Sequence, residues 1–209
     1  MNFILHIDQN LISFVTHYGV WAYVLLFLII FCETGLVVAP FLPGDSLLFA
    51  SGALAAHAGD ALNIHVLFML LVVASTLGNT ANYFIGKFIG PRIFHQTNSY
   101  LFNRKYLEKA HRFYQQHGGK AIIIARFIPI IRTFVPFLAG VGYMEKHKFF
   151  IYNFIGALLW IGSLLYISYL FGNIPIIRNH FPHMIIAIIL LSLFPPIIEL
   201  LRQRYWKPG

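Results

Sequence analysis

Residues 125–136 read Ala125-Arg126-Phe127-Ile128-Pro129-Ile130-Ile131-Arg132-Thr133-Phe134-Val135-Pro136, two arginines and two prolines set into an apolar run that extends from Ala121 to Met144. About 20 apolar residues suffice to cross a bilayer as one helix. Proline, however, offers no amide donor and clashes with the preceding turn. A chain broken at membrane depth survives only where its freed backbone is buried in protein or lines a wet cavity. Residues of about 119–145 are therefore expected to form a helical hairpin that enters the membrane and returns. A second stretch has the same character. Val20 to Val38 is interrupted by Glu33 and stopped by Pro40-Phe41-Leu42-Pro43-Gly44-Asp45, and a shorter apolar run then reaches Ala56. This predicts another hairpin over about 20–58, with Pro43, Gly44, Pro129 and Pro136 as the breaking residues.

The composition agrees with a membrane setting. Of 209 residues, 58% are hydrophobic and 11% charged, whereas soluble domains carry about 45–50% apolar and about 25% charged residues. Fifteen Lys and Arg against seven Asp and Glu give +8. The basic residues lie between apolar blocks, so they report topology and contact with lipid headgroups, not nucleic acid. Cys32 is the single cysteine, which excludes an intramolecular disulfide. The opening Met1-Asn2-Phe3 has no basic n-region and no small-residue cleavage site follows, which argues against a removed signal.

Three blocks are long enough to cross: Ile64 to Phe88, Phe149 to Gly172 and Met184 to Leu201. They predict spans over about 64–88 and 149–172, and a C-terminal transmembrane helix with a basic tail over 183–209. Residues 1–86 contain no Lys or Arg and 87–120 contain seven. The middle segment is thus expected in the cytoplasm, and the lack of early basic residues favours an external N-terminus. Within 99–117, Tyr106, Leu107, Ala110, Phe113 and Tyr114 follow helical spacing among Arg104, Lys105, Lys109 and Arg112, the pattern of an amphipathic helix on an anionic leaflet. Residues 1–18 show similar apolar spacing without basic residues, and read as an interfacial helix or one packed on the protein. A membrane domain is expected over 19–175.

The two broken stretches resemble each other. Ala39-Pro40-Phe41-Leu42-Pro43 parallels Ala125-Arg126-Phe127-Ile128-Pro129, and His17-Tyr18-Gly19 parallels His117-Gly118-Gly119. The expected fold is an all-α polytopic membrane protein, an inverted repeat of two re-entrant helical hairpins plus about three full transmembrane helices and interfacial amphipathic helices. Hairpin tips would meet near the midplane, where many transporters build a substrate site.

Glu33, Asp45, Arg126 and Arg132 all fall in or beside the broken stretches. An ionisable residue at bilayer depth costs about 2.5–3.5 kcal/mol on insertion scales, so each needs a reason. One reason is structural: two carboxylates neutralise two guanidinium groups and hold the hairpins together. The other is exchange, in which an incoming anion takes Arg126 and Arg132 while protonation releases Glu33 and Asp45. Arginine suits a phosphate through its planar fork of donors and keeps its charge. A carboxylate in an apolar setting can switch its proton. In an unbroken helix six residues advance about 600°, placing the two arginines on different faces, and a break at Pro129 lets them converge.

These residues carry a resemblance. Glu33, Pro40-Phe41-Leu42-Pro43-Gly44-Asp45-Ser46-Leu47-Leu48 and Gly52-Ala53-Leu54, then His117-Gly118-Gly119, Arg126-Phe127-Ile128-Pro129-Ile130-Ile131-Arg132-Thr133-Phe134, Pro136 and Ala139-Gly140, resemble the two signatures of the DedA family of bacterial inner-membrane proteins, whose shared region is the VTT domain. Gly78, Tyr83-Phe84-Ile85-Gly86, Asn153, Gly156-Ala157 and Trp160 fall in family order, and the likeness covers about residues 15–175. The resemblance implies a multi-pass protein of the cytoplasmic membrane. It implies movement of undecaprenyl phosphate from the outer to the inner leaflet, with protons as a further partner, and essential positions at Glu33, Asp45, Arg126 and Arg132. One departure is that many members carry Asp where this chain has Asn79.

Two other function classes compete with this one. A proton-coupled antiporter for small cations or drugs would use the acids but has less need of paired arginines. A membrane enzyme such as a lipid-phosphate phosphatase would need a nucleophile and base, yet the ten histidines are scattered and neither H-E-x-x-H nor G-x-S-x-G occurs. No enzymatic activity and no cofactor are expected. His180 and His183 are two ligands without a third, so no metal is expected either. The sequence leaves a homo-oligomer open.

Overall fold

The computed structural model describes residues 7–36, 44–56, 62–94, 118–142 and 144–174. The expected amphipathic helix over 99–117, the C-terminal helix over 183–209 and Pro43 lie outside the described residues. Within them the structure is all helical: α1 (Ile7–Gly35), α2 (Gly44–Ala55), α3 (Ile64–Phe94), α4 (Lys120–Ala125), α5 (Pro129–Val141) and α6 (Lys146–Gly172). Two stretches, Ile64–Ile89 and Lys146–Gly172, are long and apolar enough to cross a membrane. The first, of 26 residues, is about 39 Å long at 1.5 Å per residue, more than a hydrocarbon core of about 30 Å. α1 is continuous from Ile7, so no break separates the opening segment from the arm expected to begin near residue 20. A lone Gly19 costs a helix only about 1 kcal/mol, too little to interrupt it.

The chain divides into two compact units. The first draws on residues up to 26, 41–68 and 162 onward. Here α2 lies directly on α6: a side chain at Gly52 would collide with the Leu165 carbonyl and the Ser168 hydroxyl, and one at Gly172 with Ala53. Ser51 and Ser168 satisfy their own hydroxyls by donating to the carbonyls of Leu48 and Leu165, both at 2.9 Å. Small residues that let backbones approach are the usual packing device where lipid removes the hydrophobic drive between helices. Asn63 begins α3 as its cap, Oδ1 accepting from the amides of His65 (2.9 Å) and Val66 (3.3 Å). Its own amide donates to the Tyr23 hydroxyl at 2.7 Å.

The second unit comprises residues 27–40 and 69–161. Its core joins Tyr83, Ile122, Ala125, Val135, Ala139 and Phe149. The Tyr83 ring stacks on Phe149 with centroids 4.4 Å apart, and its hydroxyl donates to the Met144 carbonyl. α3 and α5 touch backbone to backbone, because a Cβ on Gly86 would meet the Phe137 carbonyl and one on Gly140 the Tyr83 carbonyl. On α3 the side chains are sorted in the reverse of a soluble helix. Met69, Val73 and Leu77 are exposed, whereas Ser75, Asn79 and Asn82 are buried. Three polar residues at i, i+4 and i+7 share one face, and apolar atoms on the outside cost nothing when the surroundings are lipid.

Between α4 and α5 the helix breaks. Arg126, Phe127 and Ile128 donate to carbonyls three residues back, at 3.3, 3.1 and 3.1 Å, which tightens and ends α4. Ile128 is extended, φ −113° and ψ 107°, the region to which a following proline confines its predecessor. Pro129 then starts α5, and that helix carries Pro136 in its interior. The break therefore falls before Pro129, while Pro136, expected as a second breaker, is accommodated within a continuous helix. Upstream, Gly118 has φ +57°, a left-handed turn that glycine enters without steric cost.

Candidate functional site

The polar face of α3, the α4–α5 break, the end of α1 and the middle of α6 bring a set of buried polar side chains together in the second unit. Glu33, Asn82 and Asn153 have no exposed surface, and Arg126 and Arg132 are 3% and 7% exposed. Arg132 Nη2 donates to Glu33 Oε1 in a buried ion pair, and its guanidinium lies over the Trp160 ring at 4.8 Å. Ion pairing and cation–π contact together hold this cation in an apolar setting.

Arg126 is held differently. Nη1 donates to Ser75 Oγ at 2.6 Å and Nη2 to Asn153 Oδ1. Asn153 is fixed in turn by donating from Nδ2 to the Thr76 carbonyl at 3.1 Å. The Asn79 amide sits between the Thr34 carbonyl and Arg126. With its nitrogen donating to Thr34 at 3.1 Å, its oxygen accepts from Arg126 Nη2 at 2.8 Å and lies 3.1 Å from Asn153 Oδ1, a second acceptor on the same Nη2. The reverse orientation would gain a bond to Asn153 Oδ1 but set two donors face to face. Two amide oxygens can share the two hydrogens of Nη2. Arg126 Nε is buried without a hydrogen-bond partner. The aliphatic stem passes over Gly156, where a Cβ would come within 2.8 Å of Cδ. Among the described residues, then, the hydrogen-bond partners of Arg126 are all neutral, and Arg132 is near enough to repel it electrostatically.

Of the residues singled out from the sequence, Glu33, Arg126 and Arg132 thus share one unit, with Glu33 on Arg132. Asp45 belongs to the other unit, half-buried in the first turn of α2, which Gly44 begins. Pro129 starts α5 and Pro136 lies inside it. Sequence reasoning missed Ser75 and Asn82, and took Asn79 and Asn153 only as positions in family order. The missed signal was the spacing of Ser75, Asn79 and Asn82 inside an apparently uninterrupted span. Among the described residues no cluster of three His, Cys, Asp or Glu side chains could hold a metal.

Comparison with known proteins identifies the family of the chain. The VTT domain model matches residues 42–170. The chain is 51% identical over 204 residues to protein DedA of Escherichia coli K12, covering 98% of this chain and 93% of that one. It is 38% identical over 177 residues to an uncharacterized membrane protein of Mycobacterium tuberculosis, covering 85% and 78% of the two chains. To the inner membrane protein YqjA of Escherichia coli K12 it is 35% identical over 195 residues, covering 90% and 87%. No solved structure matches. The chain belongs to the DedA family of VTT-domain proteins and is a protein of the bacterial inner membrane.

Proposed function

We propose that this family member is a lipid-phosphate flippase, carrying undecaprenyl phosphate from the outer to the inner leaflet of the cytoplasmic membrane for envelope polymer synthesis. It acts as a carrier and not as an enzyme. The observation that carries the reading is Arg126, a buried guanidinium whose hydrogen-bond partners are Ser75, Asn153 and Asn79 and whose Nε is unpartnered. With Arg132 and Glu33 paired, the described residues of the cluster carry one positive charge in excess. A buried charge without an ionic partner is costly, and an anionic headgroup removes that cost.

In this reading α4 and α5 are the arms of a re-entrant hairpin, and the first α2 turn belongs to its counterpart. Pro129 contributes no amide at the start of α5, but the next two residues do, and helix N-termini favour anions. Arg126 and Arg132 take the phosphate while the prenyl tail stays in lipid. Glu33, displaced from Arg132, takes up and releases protons, and so does Asp45 in the other unit. That gives a route for coupling to the proton gradient.

The test is reconstitution of the full chain in vesicles with labelled undecaprenyl phosphate, with and without a proton gradient. Arg126→Ala and Arg132→Ala are expected to abolish translocation while leaving insertion intact. Folded forms of both that still move the lipid at the wild-type rate would overturn the headgroup assignment. Transport of a soluble cation without lipid movement would favour the antiporter instead.

A further inference from the structure

Asn82 carries a buried amide oxygen that has no donor among the described residues. Its amide orientation is set by two carbonyls: Nδ2 donates to Thr133 at 2.8 Å and to Thr34 at 3.2 Å, which uses both of its hydrogens. The opposite orientation would put the amide oxygen against two carbonyl oxygens. Oδ1 therefore faces the other way, where it is buried and has no donor. Thr34 follows Glu33 in α1 and Thr133 follows Arg132 in α5. The Thr34 carbonyl also accepts from Asn79, whose oxygen touches Arg126. Asn82 is thus linked through the Thr34 carbonyl and then the Asn79 amide to Arg126, a cation that has an orphan donor of its own in Nε.

We infer that Asn82 Oδ1 accepts a hydrogen bond from the P–OH of a monoprotonated phosphomonoester head, and so determines specificity for a monoester over a diester. This rests on the lipid-phosphate reading above. Among the described residues of this unit the buried charged groups are Arg126, Arg132 and Glu33, whose net charge with Glu33 ionised is +1, matching a monoanion. The ligand must also satisfy both kinds of orphan, bringing acceptors for the guanidinium and one donor for Oδ1. A phosphomonoester monoanion does this. A phosphodiester and a carboxylate match the charge but carry no hydroxyl hydrogen, so each leaves a buried acceptor unmade, a loss equivalent to about tenfold in affinity. Inorganic phosphate has the same donor and acceptors, and the test separates it from a lipid head.

The experiment measures binding of a prenyl monophosphate and of its methyl phosphodiester, with the same tail, to the full chain in neutral-lipid nanodiscs at pH 5.5. There the monoester is largely monoanionic, since its second ionisation lies near pH 6. Wild type is expected to bind the monoester about tenfold more tightly. In Asn82→Ala that ratio falls towards one, because the monoester loses more affinity than the diester. A wild-type ratio near one overturns the inference and leaves lipid-phosphate binding standing. So does an equal loss of both lipids in Asn82→Ala, the signature of a residue that only clamps two carbonyls. Inorganic phosphate should displace the monoester only at far higher concentration, and displacement at matched concentration would overturn the lipid-head assignment. Binding of neither lipid by wild type would sink the flippase reading itself.

Discussion

Glu33→Gln separates the two roles of the buried ion pair. The substitution keeps the side-chain shape and an oxygen for Arg132 Nη2 but removes the charge, leaving two buried guanidinium groups. The pair is well shielded, with side chains 7% and 1% exposed. Breaking a buried pair costs about 3–5 kcal/mol, and the retained neutral hydrogen bond returns about 1 kcal/mol. The net loss is then about 2–4 kcal/mol. At about 2–4 °C per kcal/mol for a chain of this length, melting of the detergent-purified variant should fall by about 4–16 °C. A prenyl phosphate should then stabilise the variant more than wild type, because its negative charge meets two cations instead of one cation and one pair. Saturation at 100 times Kd contributes about 2.7 kcal/mol, enough to recover most of the deficit. The assay is thermal unfolding across a titration of the lipid. An unchanged melting temperature would refute the claim that this pair holds the unit together. An equal lipid-induced shift in both proteins would refute the release of Arg132 to the headgroup.

Asn79→Asp places a carboxylate 2.8 Å from Arg126 Nη2, giving that cation an internal partner. Affinity for a prenyl phosphate at neutral pH should fall by about tenfold or more, and recover as the new acid is protonated at lower pH; lipid titrations at two pH values check this. Gly140→Ala drives a Cβ into the Tyr83 carbonyl at a backbone-to-backbone crossing that cannot yield cheaply. Overpacking costs about 1–3 kcal/mol, so melting should drop by about 2–12 °C, and an unshifted melt would contradict the crossing.

What the residues determined alone was local. Composition established the membrane setting. Pro129 broke the helix because ring sterics confine Ile128 whatever lies around it, and the extended φ and ψ there follow from a single bond along the chain. Pro136 reads the same in sequence, yet it stays inside α5, because a proline's lost hydrogen bond is tolerable where neighbouring structure supports the turn. That support is invisible in one dimension. So were the partners of the charges. Four ionisable residues suggested two exchanging pairs, but Glu33 and Arg132 are 99 positions apart, and what joins them is the packing of separate helices. Arg126 found amides and a hydroxyl instead of a carboxylate because the polar face of α3 and Asn153 of α6 converge on it. Helical periodicity could have revealed that Ser75, Asn79 and Asn82 share a face. Only the tertiary packing, closed at contacts as tight as Gly86 on Phe137 and Gly156 on Arg126, decided what that face would meet.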